Sequence, residues 1–223
     1  MKRIKICDRV LPSYTPGEEA LNAISHGVGA VLSVGALVLC LLQAVSRDNP
    51  YGILTSVIYG TGLIGVFAIS SIYHGMKPSF SKKVMQVVDH CTIYLLIAGT
   101  YTVIVLSAIR PVYPALGWGL FGFQWLMAAI ATTLTAIDLK KYSVFSMICY
   151  VGMGWAVIPF WRQTLHVLTL PGFLLLLSGG IAYTIGAVLY GIGKKRKWMH
   201  GVFHIFVLLG AALQFLSVLL YAL

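Results

Sequence analysis

The stretch WMHGVFHIFVLLGAALQFLSVLLYA, residues 198–222, decides how this chain is read. It contains no Asp, Glu, Lys or Arg. As an α-helix it would run about 37 Å, more than the roughly 30 Å of a bilayer's hydrocarbon core. Two ionisable residues stand at its start, His200 and His204. They are four apart and therefore share one face of the helix. An ionisable group inside a membrane segment points to function, because hydrocarbon offers it no solvation.

Six more apolar runs precede it, at about 20–44, 51–76, 86–109, 115–137, 143–160 and 171–193. Only 10% of the 223 residues are charged and 59% are hydrophobic, against about a quarter charged in a soluble domain. Backbone groups in hydrocarbon must pair within their own segment, so these runs are expected to be helices. The expected architecture is all-α. Residues 1–17 form an N-terminal segment and residues 18–223 a single seven-helix transmembrane domain. The first residues, MKRIKICDRVLPSYTPGEE, have no apolar core of a cleavable signal, so the first helix is expected to serve as its own insertion signal.

Lys and Arg alternate across the loops. The N-terminal segment holds Lys2, Arg3, Lys5 and Arg9, and the successive loops hold 1, 3, 1, 2, 1 and 4. The heavier side includes Lys77, Lys82, Lys83, Lys140, Lys141, Lys194, Lys195, Arg196 and Lys197. The positive-inside rule then puts the N-terminus in the cytoplasm and the C-terminus outside, in a multi-pass plasma (inner) membrane protein. This asymmetry accounts for the net charge of +10. The basic loops suit anionic lipid head groups. A nucleic-acid partner is not expected, since no basic domain with base-reading elements exists. The four cysteines have no C-x-x-C spacing and predict no disulfide framework.

Placed by depth, the polar groups converge. His74 closes the second run, Asp89 opens the third, and His200 and His204 open the last. All four are expected about one or two turns below the cytoplasmic surface. Three imidazoles plus a water is the usual layout of a catalytic zinc site. Asp89 would hold or deprotonate that water. Ser70, one turn before His74, would orient a ligand or donate to an oxyanion. Plainer readings stand beside these. His200 could be an interfacial histidine, and Asp89 could pair with Lys82 or Lys83 at a helix start. His90 points about 100° away from Asp89 and reads as structural. His166 lies at the opposite membrane face.

A second polar set opens the first run: Glu19, Asn22 and His26, on one helical face. It reads equally as a helix start with favourable acidic charge and as a wall of the same cavity.

The segments EEALNAISHG (18–27), SSIYHG (70–75), VDHCTIYLLIAGTYT (88–102) and HGVFHIFVLLG (200–210) resemble, in order, those of the hemolysin III family. That family is the bacterial branch of the progestin and adipoQ receptors, in a wider group that includes alkaline ceramidases. The resemblance implies zinc on His74, His200 and His204. It implies that Asp89 holds the water and that Ser70 is the signature serine. It also implies a cytoplasmic N-terminus. Some relatives have histidine where this chain has Gln214.

Three functions compete: a zinc-dependent intramembrane hydrolase of lipid amides or esters serving membrane homeostasis, a receptor-like regulator of membrane fluidity with structural zinc, and a pore or cytolysin. The spans lack polar stripes to line a pore. No lysine in the last span could hold retinal. No inverted repeat suggests a transporter.

Overall fold

A computed structural model describes residues 4–193 and 196–223, and every regular element among the described residues is helical. Of the basic residues counted above, Lys2, Arg3, Lys194 and Lys195 lie outside the described residues.

The first helix, α1 (Pro16–Ser46), starts four residues before the apolar run does, because its N-terminus is well capped. The Thr15 hydroxyl accepts from the Glu18 N–H at 3.3 Å, and the Glu18 carboxylate accepts from the Thr15 N–H at 2.9 Å. Such a reciprocal box satisfies two N–H groups that the helix leaves free, and Pro16 needs no partner at N1. The helix thus begins inside the segment expected to precede the bundle. It pairs with α2 (Gly52–Gly75), and a four-residue connection leads to α3 (Phe80–Val103), capped by Ser79. Wider π-helical turns over Ile104–Ile109 extend α3, and it is the central helix, with most of its apolar residues buried. α1 instead turns Val31, Leu32 and Val45 outward, a belt of apolar side chains that suits lipid.

After α4 (Pro114–Ile137) the structure departs from the expected run at 143–160. The fifth helix, α5 (Ser143–Gly154), has only 12 residues and would span about 18 Å. A turn and a single 3₁₀ turn, Ile158–Phe160, follow where Gly152, Gly154 and Pro159 weaken helix propagation. Then α6 (Trp161–Gly193) breaks at Thr169, whose φ of 57° is left-handed, two residues before Pro171. The expected run at 171–193 is thus the long second part of α6. The last helix, α7 (Met199–Ser217), ends in π-helical turns over Val218–Ala222. It packs closely on α6: a Cβ placed on Gly210 would lie 3.0 Å from the Gly179 carbonyl oxygen. Small residues permit this approach.

Among the described residues, six helical stretches are long and apolar enough to cross a membrane. One of them, Ser143–Gly191, is 49 residues long and contains the interruptions just described. The tryptophans divide: Trp118, Trp161 and Trp198 are exposed, whereas Trp125 and Trp155 donate their indole N–H to Thr102 and Thr184 between helices. The four cysteines are unpaired.

The chain before α1 lies against the bundle. The Ile4 N–H donates to the Asp138 carboxylate at 2.9 Å, and Lys83 donates to the Cys7 carbonyl at 2.6 Å. The Asp138 carboxyl is held below the usual carboxylate range, first by the Ile4 N–H and then by those of Lys141 and Lys140, against the opposing effect of burial.

Candidate metal centre

Helix starts and ends assemble the centre. His74 stands in the last turn of α2, Asp89 in the third turn of α3, and His200 and His204 in the first two turns of α7. Local structure registers α7 against α1. Trp198 takes a left-handed φ of 69°, and its N–H donates to the Glu18 carboxylate at 2.7 Å. The acidic first turn of α1 thus fixes the residue two before His200.

The Nε2 atom of His200 lies 3.2 Å from that of His74 and 3.1 Å from that of His204. The three ligand atoms lie within 4.8 Å of one another, so this group can hold a metal ion. His74 and His204 are each 2% exposed, and His200 is half-buried. The Nδ1 of His74 lies 2.6 Å from Oε2 of Glu19. A carboxylate only accepts, so in the neutral imidazole Nδ1 carries the proton and Nε2 presents a lone pair. A tetrahedral ion with metal–nitrogen bonds of about 2.0–2.1 Å sets its ligand nitrogens about 3.3–3.4 Å apart, close to the two short separations seen. Without a cation, a single His200 N–H would have to serve two neighbours. One cation satisfies all three lone pairs, and the donor set fits it.

Beside the group opens a cavity whose polar end includes His26, Ser70, Asp89, His200 and His204. Its walls are otherwise mostly apolar, including Val66, Ile93, Leu176 and Val207. It reaches Gln214, about 15 Å along α7 from His204. Asp89 is not one of the three grouped ligands, but it lines the cavity with Ser70, whose side chain lies beside its carboxylate. Neither lysine raised as its possible partner reaches it in the interactions seen. Lys82 donates to Glu19 at 2.5 Å, and Lys83 to Cys7.

The second polar set is divided. His26 lines the cavity and stacks on His204, with centroids 3.7 Å apart. Glu19 and Asn22 are not among the lining residues; Asn22 is fully buried, and Glu19 holds His74 from behind. His166 stands apart from the centre, 3.2 Å from the Tyr113 hydroxyl.

Four neighbours join the site in ways that the spacing of residues along the chain does not show. His90, expected to be structural, lines the cavity beside Asp89, because the opening is wide enough to take two successive positions of α3. Tyr190 lines it too, its ring 5.4 Å from His200. Tyr14 stacks on His200 from the segment before α1, and Lys82 joins through Glu19. Adjacency to Asp89 was a usable signal for His90. For the others none existed, since contacts between helices leave no local spacing.

A helical membrane protein with a three-histidine group at one end of an apolar cavity is the class that fold and site define. The family model described as "Haemolysin-III related" matches residues 14–215, and the chain belongs to that family. It is 35% identical to Hemolysin-3 of Bacillus cereus over 206 residues, covering 92% of each chain. It is 34% identical to the Hemolysin-3 homolog of Bacillus subtilis (strain 168) over 208 residues, 93% of this chain and 96% of that one. It is also 29% identical to the Monocyte to macrophage differentiation factor of Homo sapiens over 212 residues, 90% and 83% of the two chains. This last similarity fits the progestin and adipoQ receptor superfamily. No solved structure matches the chain.

Proposed function

We propose that this protein is a zinc-dependent hydrolase of lipid amide or ester bonds, working within the plasma (inner) membrane in membrane homeostasis. One observation carries the reading: two of the three grouped imidazoles, His200 and His204, line the polar end of a long apolar cavity together with the Asp89 carboxylate and the Ser70 hydroxyl, and His74 closes the group behind them. Such a cavity would take an acyl chain, leaving its carbonyl at the polar end. His74, His200 and His204 would hold zinc, which supplies an activated water and polarises a carbonyl. Asp89 would hold that water and take its proton. Ser70, beside Asp89, would orient the carboxylate or donate to the developing oxyanion. The surrounding tyrosines and apolar walls would keep bulk water out.

In this reading the stretch Ser143–Gly191 crosses the membrane twice, for seven crossings in all. Its 49 residues are about twice what one crossing needs, and the break at Thr169 lies near its middle. The N-terminus and the centre then face the cytoplasm, where Lys140 and Lys141 would meet anionic head groups.

The test is lipidomics of a deletion strain complemented with wild type, Asp89→Asn or His204→Ala. Accumulation of one lipid amide or ester class in the deletion, reversed only by wild type, is expected. Reversal by Asp89→Asn but not by His204→Ala would replace the hydrolase with a receptor-like regulator that needs only structural zinc.

A further inference from the structure

We infer that Glu19 is a positioning residue of the metal centre, shared between His74 and Lys82, and that Lys82 moderates its hold on the histidine. The inference rests on the zinc reading above and deepens it.

Three helices meet at this one carboxylate. Oε2 lies 2.6 Å from the His74 Nδ1 of α2, and Oε1 lies 2.5 Å from the Lys82 Nζ of α3. The His74 side chain is fully buried, that of Lys82 is 4% exposed, and that of Glu19 20%. Lys82 is also held by the Met76 carbonyl at 2.8 Å and lies 5.3 Å over the Tyr73 ring. A buried lysine–carboxylate pair is a poor source of stability, because both charges lose water. What the pair does achieve is geometric. A carboxylate behind Nδ1 fixes the tautomer and ring orientation that turn Nε2 toward His200. The ammonium on the other oxygen draws charge away from the imidazole contact. Removing the carboxylate and removing the ammonium should therefore act on metal affinity in opposite directions. A mere structural tie between α1 and α3 would be broken alike by either change.

The experiment is chelator competition for zinc on detergent-purified wild type, His74→Ala, Glu19→Gln, Glu19→Asp and Lys82→Met, with thermal unfolding of each zinc-free protein as a fold control. Wild type should hold one zinc that His74→Ala loses. Glu19→Gln should bind about 10–100-fold more weakly, the usual loss for such an outer partner. Glu19→Asp keeps the charge but not the reach, and should weaken binding likewise should the Gln variant fail to fold. Lys82→Met should bind at least as tightly as wild type. Wild-type affinity in both Glu19 variants, or equal weakening in Lys82→Met and Glu19→Gln, would overturn the inference. Zinc retained by His74→Ala, or absent from wild type, would overturn the metal reading and this inference with it.

Discussion

The ring of Tyr14 lies stacked on that of His200, centroids 4.9 Å apart and planes 17° from parallel. The same tyrosine lies 5.8 Å from His74. The segment before α1 thus reaches two of the three grouped histidines and covers their end of the bundle. A stacked aromatic pair contributes about 0.5–1.5 kcal/mol beyond the area it buries. Tyr14→Ala should therefore leave the metal in place but speed its release to a chelator by up to about tenfold, whereas Tyr14→Phe should not. Stopped-flow metal release from the purified protein checks this.

The ligand set predicts all-or-none behaviour. Replacing His74, His200 or His204 by Ala should each strip the metal, because two remaining protein ligands make a weak site. His166→Ala, whose ring meets Tyr113 instead, should retain it. Metal content of purified variants decides, and stoichiometric zinc in a triple His→Ala variant would sink the assignment.

Asp89 sits beside the group rather than in it. Asp89→Asn should keep the fold and most of the zinc while lipid turnover falls about 10²–10⁴-fold, the usual contribution of a general base. A carboxylate that served only to cap a helix would tolerate Asn. Full turnover in the Asn variant would reject the catalytic role.

The Asp138–Ile4 contact predicts acid release of the covering segment. The folded carboxyl lies below its unfolded value of about 3.9, so its contribution is complete above that value. It is lost as pH falls from about 4 through the lower folded value. Protease sensitivity of residues 4–15 should rise in that window. Asp138→Asn should show the sensitivity at every pH.

Topology separates two readings of Ser143–Gly191. If it crosses twice, the N-terminus and Leu223 lie on opposite sides; if once, on the same side. Seven crossings are expected, so reporters fused after Leu223 should be active only in an external compartment. A cytoplasmic tail would remove the second crossing.

The helical membrane architecture was legible residue by residue. A chain this apolar must pair its backbone within each run, and the runs at 51–76, 115–137 and 198–222 match α2, α4 and α7 with its π-helical end to within a few residues. The shared face of His200 and His204 follows from helix geometry alone. Hydropathy separates the runs at 143–160 and 171–193, but the shortness of α5 and the left-handed Thr169 are features of backbone conformation that it does not record.

The sequence by itself determined that the chain is helical and suits a membrane, where most of its helices fall, and which ionisable residues lie at the same end of them. Those properties follow from composition and from the period of one helix. Only the tertiary structure decided that Glu19 turns to His74 and Lys82, that Tyr14 covers His200, and that His90 faces the cavity with Asp89. Each of these depends on how one helix is rotated and registered against another. Close contacts such as Gly179 on Gly210, and the Glu18 bond to Trp198 that sets the start of α7, fix those relations. Such contacts join residues far apart in the chain, where no spacing along it records them.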